Sequence, residues 1–228
     1  MKKIILLFVV LAALLTGANA YAPQLVKTGL YYTLSEKMDL NMDDIEVTAS
    51  PGAKCLLGEI DAVRIHSRSF RVGDLLFDSL DCTLQDVRFD PAAVVLDQRL
   101  TVTRAGSGEM TASVSSEELR RFLMHKMSDL SDVDIAFQGD VVVVTGTAKV
   151  GGILPAHATV QGRFGMQGSK LLFIPDDISV ESMGMKYTSN RMGKAEIYDF
   201  QKFPLGMVPD RVTMQDNVLT IHGRVTNS

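Results

Sequence analysis

The side chains able to do chemistry are few and scattered. The four histidines, His66, His125, His157 and His222, lie far apart in the chain, and none stands at the spacing of a metal-ligand pair. His66 and His157 fall on the polar faces of alternating segments, where a solvated imidazole is the ordinary role. No G-x-S-x-G nucleophile elbow, phosphate-binding loop or dinucleotide fingerprint occurs. Gly106-Ser107-Gly108 reads as a turn rather than a nucleophile. Asp176-Asp177 after Pro175 has the chemistry of a Ca²⁺ ligand pair, but short carboxylates after a proline suit a loop or helix cap better. A hydrolase would need a nucleophile beside His125 or His222, and the sequence offers none. The expectation is a protein that is not an enzyme, with no cofactor and no metal.

The two cysteines, Cys55 and Cys82, depend on the compartment. The chain opens with Lys2 and Lys3, an apolar run from Ile4 to Leu15, and the small-residue site Ala18-Asn19-Ala20. Those three parts make a secretory signal peptide. The apolar run is shorter than the roughly 20 residues a bilayer span needs. Cleavage is expected after Ala20, placing the protein in the periplasm or cell envelope. Disulfides form there, so a Cys55–Cys82 bridge is the expectation. The competing reading is that Cys82, on an apolar strand face, is a small buried hydrophobe.

Charge excludes one class of partner. Removing Lys2 and Lys3 with the leader takes the 23 basic residues to 21, against 27 acidic ones, a net charge of −6. With no basic run, nucleic acid is not an expected partner, nor is an anionic membrane held by a polybasic patch. Any contact with a membrane surface is expected to be apolar and transient.

The elements that position these residues centre on Gly58 to Pro91. Two runs alternate apolar and polar around Arg71-Val72-Gly73-Asp74, which predicts a long antiparallel hairpin. Val63 and Ile65 face inward, as do Leu76, Leu80, Cys82 and Leu84, with Asp78 interrupting the pattern. Upstream, Val26, Leu30, Leu34 and Met38 recur every four residues and predict a helix from Ala22 to Met38, with Pro23 in its first turn. Asp44 to Ser50 reads as a strand, and Pro51 to Leu57 as one helical turn. Pro91 to Leu96 reads as a short helix capped by Asp90. Arg99 to Arg104 and Met110 to Val114 read as strands. Ser115 to Met127 is the clearest helix, with a Ser115/Glu118 capping box and an apolar stripe of Leu119, Phe122, Leu123 and Met127.

Three further hairpins can be tested by register, because directly opposed residues share a face. A turn at Gly139-Asp140 opposes Phe137 with Val142 and Ile135 with Val144. One at Gly168-Ser169 opposes Met166 with Leu171 and Phe164 with Phe173. One at Asp216-Asn217 opposes Met214 with Leu219 and Val212 with Ile221. Apolar meets apolar each time. A turn at Gly151-Gly152 pairs Ala148 with Pro155 and points to a bulge. Asn190 to Gln201 reads as helical with Ile197 and Phe200 inward, and Phe203 to Pro209 as a greasy loop. The fold class is α+β: a long curved antiparallel sheet wrapped around amphipathic helices, with an apolar tunnel where the helices fall short of filling it. The boundaries expected are a leader at 1–20, an N-terminal helical segment at 21–43 and a single domain at 44–228.

From Gly58 the run G-E-I-D-A-V-R-I, R-V-G-D-L-L-F-D-S-L-D and V-R-F-D-P resembles the opening of the LmeA-like phospholipid-binding family of bacterial envelope proteins. S-S-E-E-L-R-R-F-L resembles the family's middle segment, and F-P-L-G-M-V-P-D-R-V-T-M-Q-D-N-V-L-T-I-H-G its closing strand pair. The resemblance implies a tubular lipid-binding architecture and phospholipid as the ligand, with lipid transport or envelope maintenance as the wider role. It offers no catalytic residues. The lipid-binding side chains expected on this basis are Leu119, Phe122, Leu123, Phe137, Phe164, Met166 and Phe173, with Phe203, Leu205 and Met207 near an opening. The alternative is a structural or adaptor module of the envelope whose core is packed shut.

Overall fold

A computed structural model describes residues 2–126, 130–150, 154–189, 193–200 and 207–225. The alternating runs on either side of Gly73 become β2 (Glu59–Ser67) and β5 (Ser79–Phe89), paired antiparallel from Glu59↔Arg88 to Ser67↔Leu80. Between them β3 (Phe70–Val72) and β4 (Leu75–Phe77) form a small ribbon of their own. Val63, Ile65, Leu80, Cys82 and Leu84 are buried, as the alternation predicts. Leu76 is not: its neighbours Leu75 and Phe77 are buried instead. Asp78 breaks the period, and its carboxylate accepts the Ser115 backbone N–H. The interrupting charge thus caps a later strand end.

Helix α1 runs from Lys2 to Ser35 without a break at Ala20, so Pro23 lies inside it rather than in its first turn. Its predicted stripe is buried at Val26, Leu30 and Leu34, while Met38 lies past the helix, in a bridge to Val72. Gly29 has a packing reason: a Cβ there would stand 3.1 Å from Val94 Cγ1 of α2 (Pro91–Asp97). The Asp90 side chain caps α2 by accepting the Ala92 N–H at 2.9 Å. Between α1 and β2 lie β1 (Ile45–Thr48) and a 3-10 turn, Gly52–Leu57.

One long sheet is expected from the sequence; apart from the β3–β4 ribbon, the strands divide between two. The first has the order β1-β2-β5-β7-β15-β14, where β7 is Ser107–Ser115, β14 Met207–Gln215 and β15 Val218–Val225; β6 (Val102–Arg104) adds to β5. The second has the order β12-β11-β10-β9-β8. These are Met185–Ser189, Lys170–Ser182, Leu154–Gln167, Val141–Val150 and Leu130–Gln138, and β13 (Ala195–Asp199) adds to β11. The division follows from connectivity. β8 to β12 is a run of hairpins in which each strand pairs with its sequence neighbour. The last hairpin returns to β7, opposing Ile221 with Ala112, and so completes the first sheet. Buried side chains from both sheets join one continuous apolar core, from Leu30 and Leu84 to Ile135 and Leu171.

All three tested registers match: Phe137↔Val142, Phe164↔Phe173 and Met214↔Leu219 are direct partners. The Gly151-Gly152 expectation is corrected. Ala148 pairs with Ala156, one residue on, because the connection spans three residues rather than two. The bulge falls instead in β11, opposite Gln161/Gly162 of β10. Asp176, expected in a loop or cap, is the extra residue of that bulge and pairs with Arg163 at 3.0 Å. The helix expected over 190–201 is corrected as well. Residues Ala195–Asp199 form β13, since the β11 edge offers Leu171 and Phe173 as partners for Tyr198 and Ala195. Ile197 and Phe200 do face inward.

Candidate functional site: an apolar cavity beneath α3

Helix α3 (Ser116–Lys126) begins where Ser115 Oγ accepts the Glu118 N–H at 3.4 Å. The Glu118 carboxylate pairs with Arg121, 2.6 Å away, so the cap is one-sided. Arg120 and Glu117 make a second pair at 2.7 Å, and this bond holds the Glu117 carboxyl below the usual range. With these charges paired, α3 lays Leu119, Phe122 and Leu123 over the second sheet.

Between α3 and that sheet lies a cavity of about 340 Å³, partly open to solvent. Leu119, Phe122 and Leu123 form its roof. Val133 and Ile135 come from β8, Val142, Val144, Thr145 and Gly146 from β9, and Ala158, Val160 and Phe164 from β10; Phe173, Ala195 and Ile197 complete the wall. Among the described residues no titratable side chain lines it. The registers explain this. Val142 opposes Phe137, Val144 opposes Ile135, Val160 opposes Val144 and Ala158 opposes Gly146, so a single face of three strands is apolar. Small residues at Ala158, Gly146 and Ala195 leave the floor low. The Phe164 and Phe173 rings meet at 5.7 Å, tilted by 60°, and wall one end.

Leu119, Phe122, Leu123, Phe164 and Phe173 are therefore brought together as expected. Phe137 and Met166 are not in the wall. They sit one step nearer their turns, at Gly139 and Gly168, packed against the core. Phe203 and Leu205 lie outside the described residues, as does Met127; Met207 opens β14, and its side chain is not described. The β8 and β9 valines and isoleucine, with Ala158 and Val160, complete the site. Their signal was in the sequence, since each shares a face with a residue of the register test.

The polar candidates stay apart. His66 Nδ1 meets Asp81 Oδ1 at 2.5 Å across β2 and β5, and His157 Nδ1 meets the Thr147 hydroxyl at 3.0 Å, both on exposed faces. Ser107 opens β7 opposite Gln85. Among the described residues no three His, Cys, Asp or Glu side chains gather as for a metal ion, and no helix is long and apolar enough to cross a membrane.

The expected Cys55–Cys82 bridge is absent; both are buried thiols. Cys55 sits in a groove between α1, the 3-10 turn and α2, beside Phe89. Cys82 lies seven residues back along β5, a strand distance of about 24 Å from Phe89 at roughly 3.4 Å per residue. A disulfide needs Cα atoms within about 7 Å. Burial pushes the Cys82 thiol up to about 12 and raises that of Cys55.

Comparison with curated proteins gives no match, and neither does comparison with solved structures. The model of one family spans almost the whole chain, from residue 14 to residue 224. The chain belongs to the LmeA-like phospholipid-binding family.

Proposed function

We propose that this protein is an exported, non-catalytic cell-envelope protein that holds one acyl chain of a phospholipid in the cavity beneath α3. The observation that carries the reading is the uncharged cavity itself, on a chain of a phospholipid-binding family. A core packed shut, as an adaptor module would have, leaves no such space. A methylene occupies close to the volume of a water molecule, roughly 30 Å³, so 340 Å³ takes about eleven methylenes. That is most of one acyl chain and far short of two.

The energetics favour exchange over capture. Burying about eleven methylenes from water gives about 9 kcal/mol at roughly 0.8 kcal/mol each. A chain drawn from a bilayer leaves one apolar medium for another and forgoes most of that gain. The protein therefore takes up and releases lipid near balance, as transport between membranes or envelope maintenance requires. With no charge among the described residues of the wall, the headgroup stays outside and contributes little to selection.

Export rests on Lys2, Lys3, the apolar run and Ala18-Asn19-Ala20. The described buried side chains of α1 begin at Ala22, beyond the expected cut. The test is displacement of a fluorescent fatty acid from the delipidated protein by phosphatidylcholine. Stoichiometric displacement is expected; a protein that takes up neither probe nor phospholipid overturns the proposal.

A further inference from the structure

We propose that the β11–β12 hairpin is the end of the protein that docks on a phospholipid bilayer and passes an acyl chain to the cavity. The proposal rests on the lipid-binding reading of that cavity and adds where the lipid enters. Met183, Met185 and Tyr187 are each 70% or more exposed on this hairpin. Exposed apolar side chains grouped at a hairpin tip call for a partner.

The turn itself is built against local preference. Met183 and Gly184 both have positive φ, 53° and 76°. A two-residue turn of this kind favours Asn, Asp or Gly at its first position. A methionine there holds a large apolar side chain at the tip at some conformational cost.

Register joins this tip to the cavity. Tyr187 opposes Val180, Val180 opposes Ala158 and Ala158 opposes Gly146. Directly opposed residues share a face, and Ala158 and Gly146 line the cavity. Met185 opposes Ser182, two residues beyond Val180 and so on the same face. An apolar face thus runs from the cavity floor past Val180 and Tyr187 to Met185 and the Met183 tip. The charges of the hairpin, Lys186 and Glu181, oppose each other on the other face and cancel. The partner that fits is the apolar interior of a bilayer, entered by methionine and tyrosine without electrostatic attraction. Leu57 and Leu96, equally exposed, lie on the 3-10 turn and α2 that pack against α1, and neither element lines the cavity.

The experiment is co-flotation of the full chain with phosphatidylcholine vesicles, beside uptake of a monomeric fluorescent fatty acid. M183D/M185D is expected to lower vesicle association by about a hundredfold and to leave fatty-acid uptake unchanged. Y187S is expected to give a smaller loss of the same kind. L57D/L96D is expected to float as the unaltered chain does, and high salt to have no effect. The docking proposal is overturned if M183D/M185D floats normally, if L57D/L96D is the variant that fails, or if salt abolishes association. Failure of the unaltered chain to take up the fatty acid refutes the cavity reading instead, whatever the flotation shows.

Discussion

Filling the cavity from its floor separates a lipid site from a packing defect. Ala158 lies in the row Gly146–Ala158–Val180, and its Cβ faces the space beneath α3. Ala158→Phe adds six carbons to a site that takes about eleven methylenes, so about five or six methylenes of a bound chain lose their place. At roughly 0.8 kcal/mol each this removes about 4–5 kcal/mol. The expected outcome is binding about a thousandfold weaker, at roughly 1.4 kcal/mol per factor of ten. The added ring occupies space that was empty, so the fold keeps its thermal stability or gains slightly. The assay is titration with a fluorescent fatty acid, beside a thermal melt of the same sample. His157→Phe, one residue away on the exposed outward face, places the same ring outside the cavity and is expected to bind normally. The reasoning is refuted if Ala158→Phe binds within about threefold of the unaltered chain, less than the loss of a single methylene predicts.

Other outcomes follow from the core and the caps. The Cys82 thiol ionises at about 12 in the folded chain, against an ordinary value of 9.0. The unfolded chain therefore releases that proton first, and stability is intact below about pH 9 and falls between pH 9 and 12, by up to about 4 kcal/mol. Cys82→Ala should flatten that part of the pH–stability curve; equal slopes contradict the account. Without reductant, a thiol reagent at neutral pH should react slowly with the native protein and find two thiols after denaturation. Finding none would establish the bridge that the geometry forbids. Asp90→Ala removes the cap of α2 and should cost about 1 kcal/mol in denaturant unfolding, with fatty-acid binding unchanged. Gly162→Ala places a Cβ 2.6 Å from the Ile174 carbonyl oxygen and 2.7 Å from the Phe173 ring. It should lower the melting temperature and weaken binding together, because the strain falls on the aromatic end of the cavity.

Local pattern carried much of this fold, and its limits are physical. The β8–β9, β10–β11 and β14–β15 registers were legible because turn residues and side-chain parity agree there. Gly139, Gly168, Asp216 and Asn217 all take the positive φ that their turns need. The division into two sheets was not legible. The pairings that decide it, β5 with β7 and β7 with β15, join distant segments and leave no mark on local periodicity. β12 and β13 were hidden for another reason. Both are short strands on the flank of the second sheet; β12 is exposed along nearly its whole length and β13 is bulged at Ile197, so neither alternates cleanly. At the site, the stripe on α3 and the Phe164–Phe173 pair were readable from spacing. Gly146 and Ala195 were not, since what they contribute is the absence of a side chain. Asp78 interrupted the alternation in the sequence, and its carboxylate proves to take the backbone N–H of a later strand end; Asp176, read as a loop or cap residue, proves to be the extra residue of the β11 bulge, paired with Arg163.

The central claim is that the space beneath α3 holds hydrocarbon. Native mass spectrometry of the protein, delipidated and then mixed with phosphatidylcholine, tests it most directly. The account predicts one phospholipid per chain, lost in Ala158→Phe. A spectrum of lipid-free chain alone, at a lipid concentration that saturates the fluorescent probe assay, contradicts it.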